Sequence, residues 1–173
     1  TDDTPFLVDS VAADLGARDL AIHRIIHPIF DAVRDDGGQW RSLAGADEEP
    51  GGMPESFMHF EFTRRTSAEL AGIAASVSTV LDEVRAAVDD WRAMTARMLE
   101  IGEAMTPPPH ASPADFEEIR AFLAWLGDGH FTFLGYREYF VDEAEGVALA
   151  RAVPGSGLGL LRAPEASVFE DLI

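Results

Sequence analysis

From Leu70 to Met105 an apolar residue recurs at every third or fourth position, and no proline interrupts the run before Pro107-Pro108-Pro109. The recurring residues are Leu70, Ile73, Val77, Val80, Val84, Ala87, Trp91, Met94, Met98, Ile101 and Met105. That spacing places them on one face of a helix. Thr66-Ser67-Ala68-Glu69 stands just ahead as a capping box, with Thr66 as N-cap and Glu69 three residues on. As one element this is a helix of about 40 residues and roughly 60 Å. The flanking positions Ala74, Ser76, Leu81, Val88 and Thr95 are mostly uncharged, whereas a free coiled coil would place charge there. The pattern therefore predicts packing against a domain, or two helices kinked near Leu81–Asp82, with Trp91 in the core.

The prolines after this helix are the clearest boundary, because none of them can continue it. Before the helix, Thr4 and Pro5 read as N-cap and first helical residue. Phe6, Leu7, Val11 and Leu15 follow at helical spacing, so a helix runs from about Pro5 to Leu15 and stops at Gly16. Leu20 to Val33 reads as one strand, with Pro28 at an edge or bulge. Asp35-Asp36-Gly37-Gly38 is a hairpin signal, Gln39 to Leu43 the returning strand, and Ala44 to Pro54 a loop. Glu55 to Thr63 alternates as a strand, with Met58, Phe60 and Phe62 on one face and Phe57, His59 and Glu61 on the other.

Beyond the prolines, Ser112-Pro113 opens a helix whose stripe is Phe116, Ile119, Leu123 and Leu126, with Trp125 also taken as core. Gly127-Asp128-Gly129 ends it. His130 to Val141 reads as a long aromatic strand, Asp142 to Gly146 as a turn and Val147 to Val153 as its partner. The expected organisation is a module over 1–105, a linker over 106–111 and a second α+β element over 112–173.

Composition removes several kinds of chemistry. The chain has no Cys, no Lys and no Asn, and its 13 basic residues are all Arg. Thiol nucleophiles, disulfides, Cys-based metal sites, Schiff bases and a P-loop lysine are thereby absent. A net charge of −18 opposes binding to nucleic acid or to an anionic membrane. No apolar run approaches the ~20 residues of a spanning helix, and no leader is visible, so a cytoplasmic location is expected.

Three constellations remain. His23 and His27 lie on one face of a strand or a helix, and His59 could join them across a hairpin as a metal site. The competing reading is three histidines on a half-exposed sheet, and no metal is expected. Gly155-Ser156-Gly157-Leu158-Gly159 looks like a dinucleotide loop, but proline follows too soon for the required helix, so a tight turn is favoured. Glu48, Glu49 and the Asp142–Glu145 acids are read as solvated charge. The turn over Asp3–Asp9 is more informative. A helix that starts on apolar residues offers free N–H groups and a positive dipole to a ligand carboxylate, as small-molecule-sensing βαββαβ modules do. The candidate ligand residues are Asp3, Phe6, Leu7 and Asp9; the alternative is a helix start with no ligand.

Six segments, Asp2–Val11, Ile22–Pro28, Glu55–His59, Val84–Arg92, Phe131–Tyr139 and Gly155–Gly159, occur in an order that resembles the N-terminal region of the large NAD-specific glutamate dehydrogenases. The resemblance implies ACT-like, ferredoxin-like regulatory modules that sense an amino acid or join subunits. It implies a parent oxidoreductase that converts L-glutamate, NAD and water to 2-oxoglutarate, ammonia and NADH. The family's nicotinamide site and catalytic lysine lie elsewhere, so this chain is expected to hold no catalytic residue and no cofactor. An ACT-like module opens on a strand, of which Thr1–Thr4 would be at most the end. The expected partners are an amino-acid effector, further copies of the chain and other domains of the parent.

Overall fold

The computed structural model describes residues 1–43, 52–144 and 147–163. Their order is α1 (Leu7–Ala17), β1 (Ile22–Ile26), β2 (Ile29–Arg34), β3 (Trp40–Leu43), β4 (Met53–Ser56), β5 (His59–Phe62), α2 (Ser67–Ala104), α3 (Pro113–Trp125), β6 (Gly135–Tyr136), β7 (Tyr139–Ala144), β8 (Val147–Ala152) and β9 (Leu158–Gly159). This is an α+β fold with small antiparallel sheets, consistent with an ACT-like module followed by a long helix. The chain forms two compact units, Thr1–Arg85 and Ala86–Ile173. The long helix contributes to both, whereas the sequence pattern assigned it whole to the first module.

In the first unit β1 pairs with β5, and β2 lies between β3 and β4. The expected strand over Leu20–Val33 is two strands in two sheets. His27-Pro28 divides it, because proline supplies no ladder N–H and restricts the residue before it. The expected strand over Glu55–Thr63 divides likewise, at Phe57-Met58, into β4 and β5. The β2–β3 hairpin forms as read: the Asp35 N–H donates to the Gln39 carbonyl, the Gly38 N–H to the Asp35 carbonyl, and Gly38 takes φ 76°. Asp35 Oδ1 also accepts from the N–H groups of Gly37 and Gln39. The acids Glu48 and Glu49 lie outside the described residues.

The core of this unit joins α1, the β1–β5 ribbon and the first half of α2. Val11, Leu15 and Leu20 are buried, with Ile22, Phe60, Phe62, Ile73, Val77, Val80 and Leu81 packed on them. The face assignment of β5 thus holds, with Phe60 and Phe62 inward and His59 and Glu61 exposed. Helix α1 stops later than expected. Asp19, not Gly16, takes the left-handed conformation at φ 55°, and the Leu20 N–H closes back on the Leu15 carbonyl.

Helix α2 is continuous. Its capping box is formed: Thr66 N–H donates to Glu69 Oε2 at 2.8 Å, and Glu69 N–H donates to Thr66 Oγ1 at 3.3 Å. Glu69 is held below its ordinary carboxylate value by the Thr66 hydroxyl and N–H. The stripe is only partly buried. Val84 and Met94 are in the interior, but Leu70 and Ile101 are exposed, and Trp91 is 49% exposed beneath the Arg92 guanidinium. Trp91 is therefore not core. Trp125 is also half exposed, stacked between Phe122 and His130. Periodicity names a face; it does not supply a partner along the whole of that face.

In the second unit Ser112 caps α3 by accepting from the Asp115 N–H, with Pro113 first in the helix, and Phe116 is buried. A π turn over Leu126–His130 ends α3, and Gly129 has φ 79°. The expected strand over His130–Val141 is divided into β6, paired with β9, and β7, paired with β8 in register Tyr139↔Ala152 to Ala144↔Val147. Of the turn expected over Asp142–Gly146, residues 142–144 belong to β7, and residues 145–146 lie outside the described residues.

Candidate functional site

The head of α1 is built differently from the capped start that Thr4-Pro5 implied. The helix begins at Leu7, and Phe6 occupies the N-cap position at φ 70°, with no side-chain cap. A left-handed conformation costs a non-glycine residue about 1–2 kcal/mol and persists only where its surroundings determine it. The first helical bond runs from the Ser10 N–H to the Phe6 carbonyl at 3.0 Å. The N–H groups of Leu7, Val8 and Asp9 lie ahead of that bond, at the positive end of the helix dipole. Thr4 Oγ1 is buried and has no hydrogen-bond partner among the described residues.

The four candidate residues occupy different positions. Leu7 is 2% exposed, so its side chain belongs to the interior and only its main chain faces the turn. Phe6 is 53% exposed. Asp9 is exposed in the first helical turn. Asp3 is held from two sides: its N–H donates to the Pro54 carbonyl at 3.0 Å, and its carboxylate accepts from the Ser56 hydroxyl at 2.5 Å. Residues 1–3 run antiparallel along β4, with a bridge between Asp2 and Glu55.

Beside this turn lie Glu55, Arg34 and Ser56, which sequence reasoning did not single out, and His27, which it considered only as a metal ligand. Glu55, 3% exposed, receives Arg34 Nε at 2.5 Å and Nη2 at 2.7 Å. The Arg34 hydrogen bond and charge hold Glu55 below its ordinary value, against the opposing effect of burial. Arg34 also donates to the Gly38 carbonyl, so one guanidinium ties the β2–β3 hairpin to β4. Ser56 is buried next to Glu55, and His27 Nε2 lies 3.0 Å from its hydroxyl. These partners are 21 to 53 residues apart, and no local pattern marks them.

The three histidines are not gathered. His23 approaches Thr63 Oγ1, His27 approaches Ser56 and His59 approaches Glu61. Among the described residues no group of three His, Asp or Glu is placed to hold a metal ion. Among them also, no helix is long and apolar enough to cross a membrane.

The glycine run of the second unit does not fit a dinucleotide. Its Leu158-Gly159 pairs with β6, and no helix follows among the described residues. The Gly159 N–H and Arg162 both donate to Asp90 Oδ2 on α2, at 2.7 and 3.1 Å. Burial pushes the Asp90 carboxyl up, but these two donors outweigh it and hold the group below its ordinary value. A Cβ at Gly157 would meet the Leu161 carbonyl, and one at Gly159 the Leu134 carbonyl. The glycines serve close backbone packing.

Residues 1–77 match the family model described as the glutamate dehydrogenase ACT1 domain. The chain is 39% identical over 165 residues to the NAD-specific glutamate dehydrogenase of Halomonas elongata, covering 93% of this chain and 10% of that protein. It is 35% identical over 173 residues to the enzyme of the same name from Pseudomonas aeruginosa, covering 98% and 11%. Against that from Mycobacterium tuberculosis it is 30% identical over 160 residues, covering 90% and 10%. The chain thus spans about a tenth of the length of these relatives.

Proposed function

We infer, from the match of residues 1–77 to the glutamate dehydrogenase ACT1 domain model, that the chain is a regulatory, non-catalytic region of an NAD-specific glutamate dehydrogenase and that the head of α1 takes a free amino acid. The parent would be a cytoplasmic oxidoreductase that converts L-glutamate, NAD and water to 2-oxoglutarate, ammonia and NADH. The observation that carries the ligand reading is the helix start with no side-chain cap, held open behind a strained Phe6. The carboxylate of an amino acid would accept from the N–H groups of Leu7, Val8 and Asp9. Its ammonium would pair with the exposed Asp9 carboxylate, and the Phe6 ring would cover its side chain. Leu7 would contribute its N–H while its side chain anchors the helix. Asp3, already engaged by Ser56 and Pro54, would set the turn and leave the ligand contacts to the other three.

A second reading, assembly without a ligand, is supported by the exposed Ile25, Ile26, Ile29 and Phe30 on β1 and β2. In that reading this surface meets further copies of the chain or other domains of the parent. Calorimetric titration of the chain with each of the twenty proteinogenic L-amino acids separates the two. Saturable binding of at least one supports the sensor. Silence from all twenty, with a mass that rises with concentration in light scattering, supports assembly.

A further inference from the structure

Ser56 has one hydroxyl proton and two close polar neighbours. Asp3 Oδ1 lies 2.5 Å from Ser56 Oγ, and His27 Nε2 lies 3.0 Å from it. A carboxylate can only accept, so the Ser56 proton goes to Asp3. The Ser56 oxygen must then accept from His27, whose Nε2 must carry a hydrogen, whether the ring is neutral or charged. The chain of bonds therefore has one direction, from His27 through Ser56 to the Asp3 carboxylate.

The backbone holds the three together. The Phe57 N–H donates to the Pro28 carbonyl at 3.0 Å, which sets the His27-Pro28 break beside Ser56. The Ser56 N–H donates to the Thr1 carbonyl at 2.8 Å, which sets Ser56 beside Asp3. Asp3 leads directly into Thr4-Pro5-Phe6, and the strained Phe6 conformation must be over-determined by something outside itself. Pro5 gives the turn no N–H with which to anchor itself.

We propose that His27 and Ser56 are positioning residues for the α1 turn: the His27 N–H orients the Ser56 hydroxyl onto Asp3, and the fixed Asp3 holds the left-handed Phe6 that leaves the Leu7–Asp9 N–H groups open. This rests on the reading of that turn as an amino-acid site, and it makes the break between β1 and β2 part of the site's control. His27 is itself exposed, although the Ser56 it bonds is buried, so its replacement should alter the turn while the unit stays folded.

The test is amide hydrogen exchange of the 173-residue chain without added ligand, comparing wild type, His27→Ala and His27→Gln. The reporters are the Asp3 N–H, bonded to Pro54, and the Ser10 N–H, bonded to Phe6. His27→Ala should speed both by up to about tenfold, the upper end of what loss of one neutral hydrogen bond gives. The Leu20 N–H, bonded to Leu15 in the core, should be unchanged. Gln offers an N–H at a similar reach and should restore protection. Ser56→Ala should match His27→Ala, and the double variant should be no worse than Ser56→Ala alone. Unchanged exchange at Asp3 and Ser10 in His27→Ala, equal loss in the Gln variant, or additive effects in the double variant would each overturn the proposal. Because no ligand is present, failure of amino-acid binding leaves this result standing on its own.

Discussion

Each compact unit places an arginine on a carboxylate withdrawn from water, and the two pairs serve different ends. In the first, Arg34 and Glu55 join neighbouring strands beside an aliphatic core of Val11, Leu15 and Leu20. In the second, Asp90 reaches from a helix to hold Arg162 and the N–H of Gly159. The first unit has a three-element apolar interior, and its ion pair adds register between strands. The second is organised around glycine close to backbone, with Met94 and Phe116 as its buried side chains among the described residues. A unit of the first kind should tolerate a change of loop backbone and fail on loss of core volume. A unit of the second kind should fail when a single methyl group is added.

The largest effect should come from Leu15→Ala. Leu15 is fully buried, and such truncations cost about 2–5 kcal/mol. Urea denaturation followed by exchange of α1 and β5 amides should show the first unit weakened by that amount. Gly159→Ala should cost about 2–3 kcal/mol, since φ 58° is strained for alanine and its Cβ would overlap the Leu134 carbonyl. Its exchange signature should be confined to β6, β9 and residues near Asp90. A Gly159→Ala protein as stable as wild type would erase the contrast between the units.

The acid pairs sharpen the comparison through pH. Glu55 and Asp90 both have folded values below their ordinary 4.5 and 3.8. Each therefore contributes stability that is complete above the unfolded value and is lost as pH falls through the folded value. Stability measured from pH 7 to pH 3 should fall in this acid window in wild type. Arg34→Met should flatten the dependence for the first unit and Arg162→Met for the second, each without changing the other. A slope unchanged in Arg34→Met would remove the ion pair from the description of the sheet.

The smallest effect should be at Trp91. Half exposed and beneath an exposed arginine, it should lose no more than about 1 kcal/mol on replacement by Ala. A loss of 3 kcal/mol or more in thermal denaturation would return Trp91 to the buried stripe that its spacing implies.

These cases mark what the sequence makes legible. The Thr66–Glu69 capping box, the Ser112-Pro113 start and the Asp35–Gly38 hairpin are local, each closed within about four residues, and all three are read correctly. The ACT-like character is legible from the ordered segments between Asp2 and His59. The divided strands are not, because β1 and β2 change partners across His27-Pro28 and nothing local names the new partner. Trp91 and Trp125 fit helical stripes, on α2 and α3, that are only partly buried among the described residues. At the site, the Asp3–Asp9 turn is marked by Pro5 and the apolar run behind it. Its supports, Ser56 and His27, come from strands far along the chain and are joined to it only by folding.

The central claim, that the head of α1 is an amino-acid site, is tested most directly by following the amide resonances of Leu7, Val8 and Asp9 while the chain is titrated with each proteinogenic L-amino acid. The expected result is a saturable shift at these three amides for at least one amino acid, abolished in Asp9→Ala. Amides at Leu7–Asp9 that stay unmoved by all twenty would contradict it.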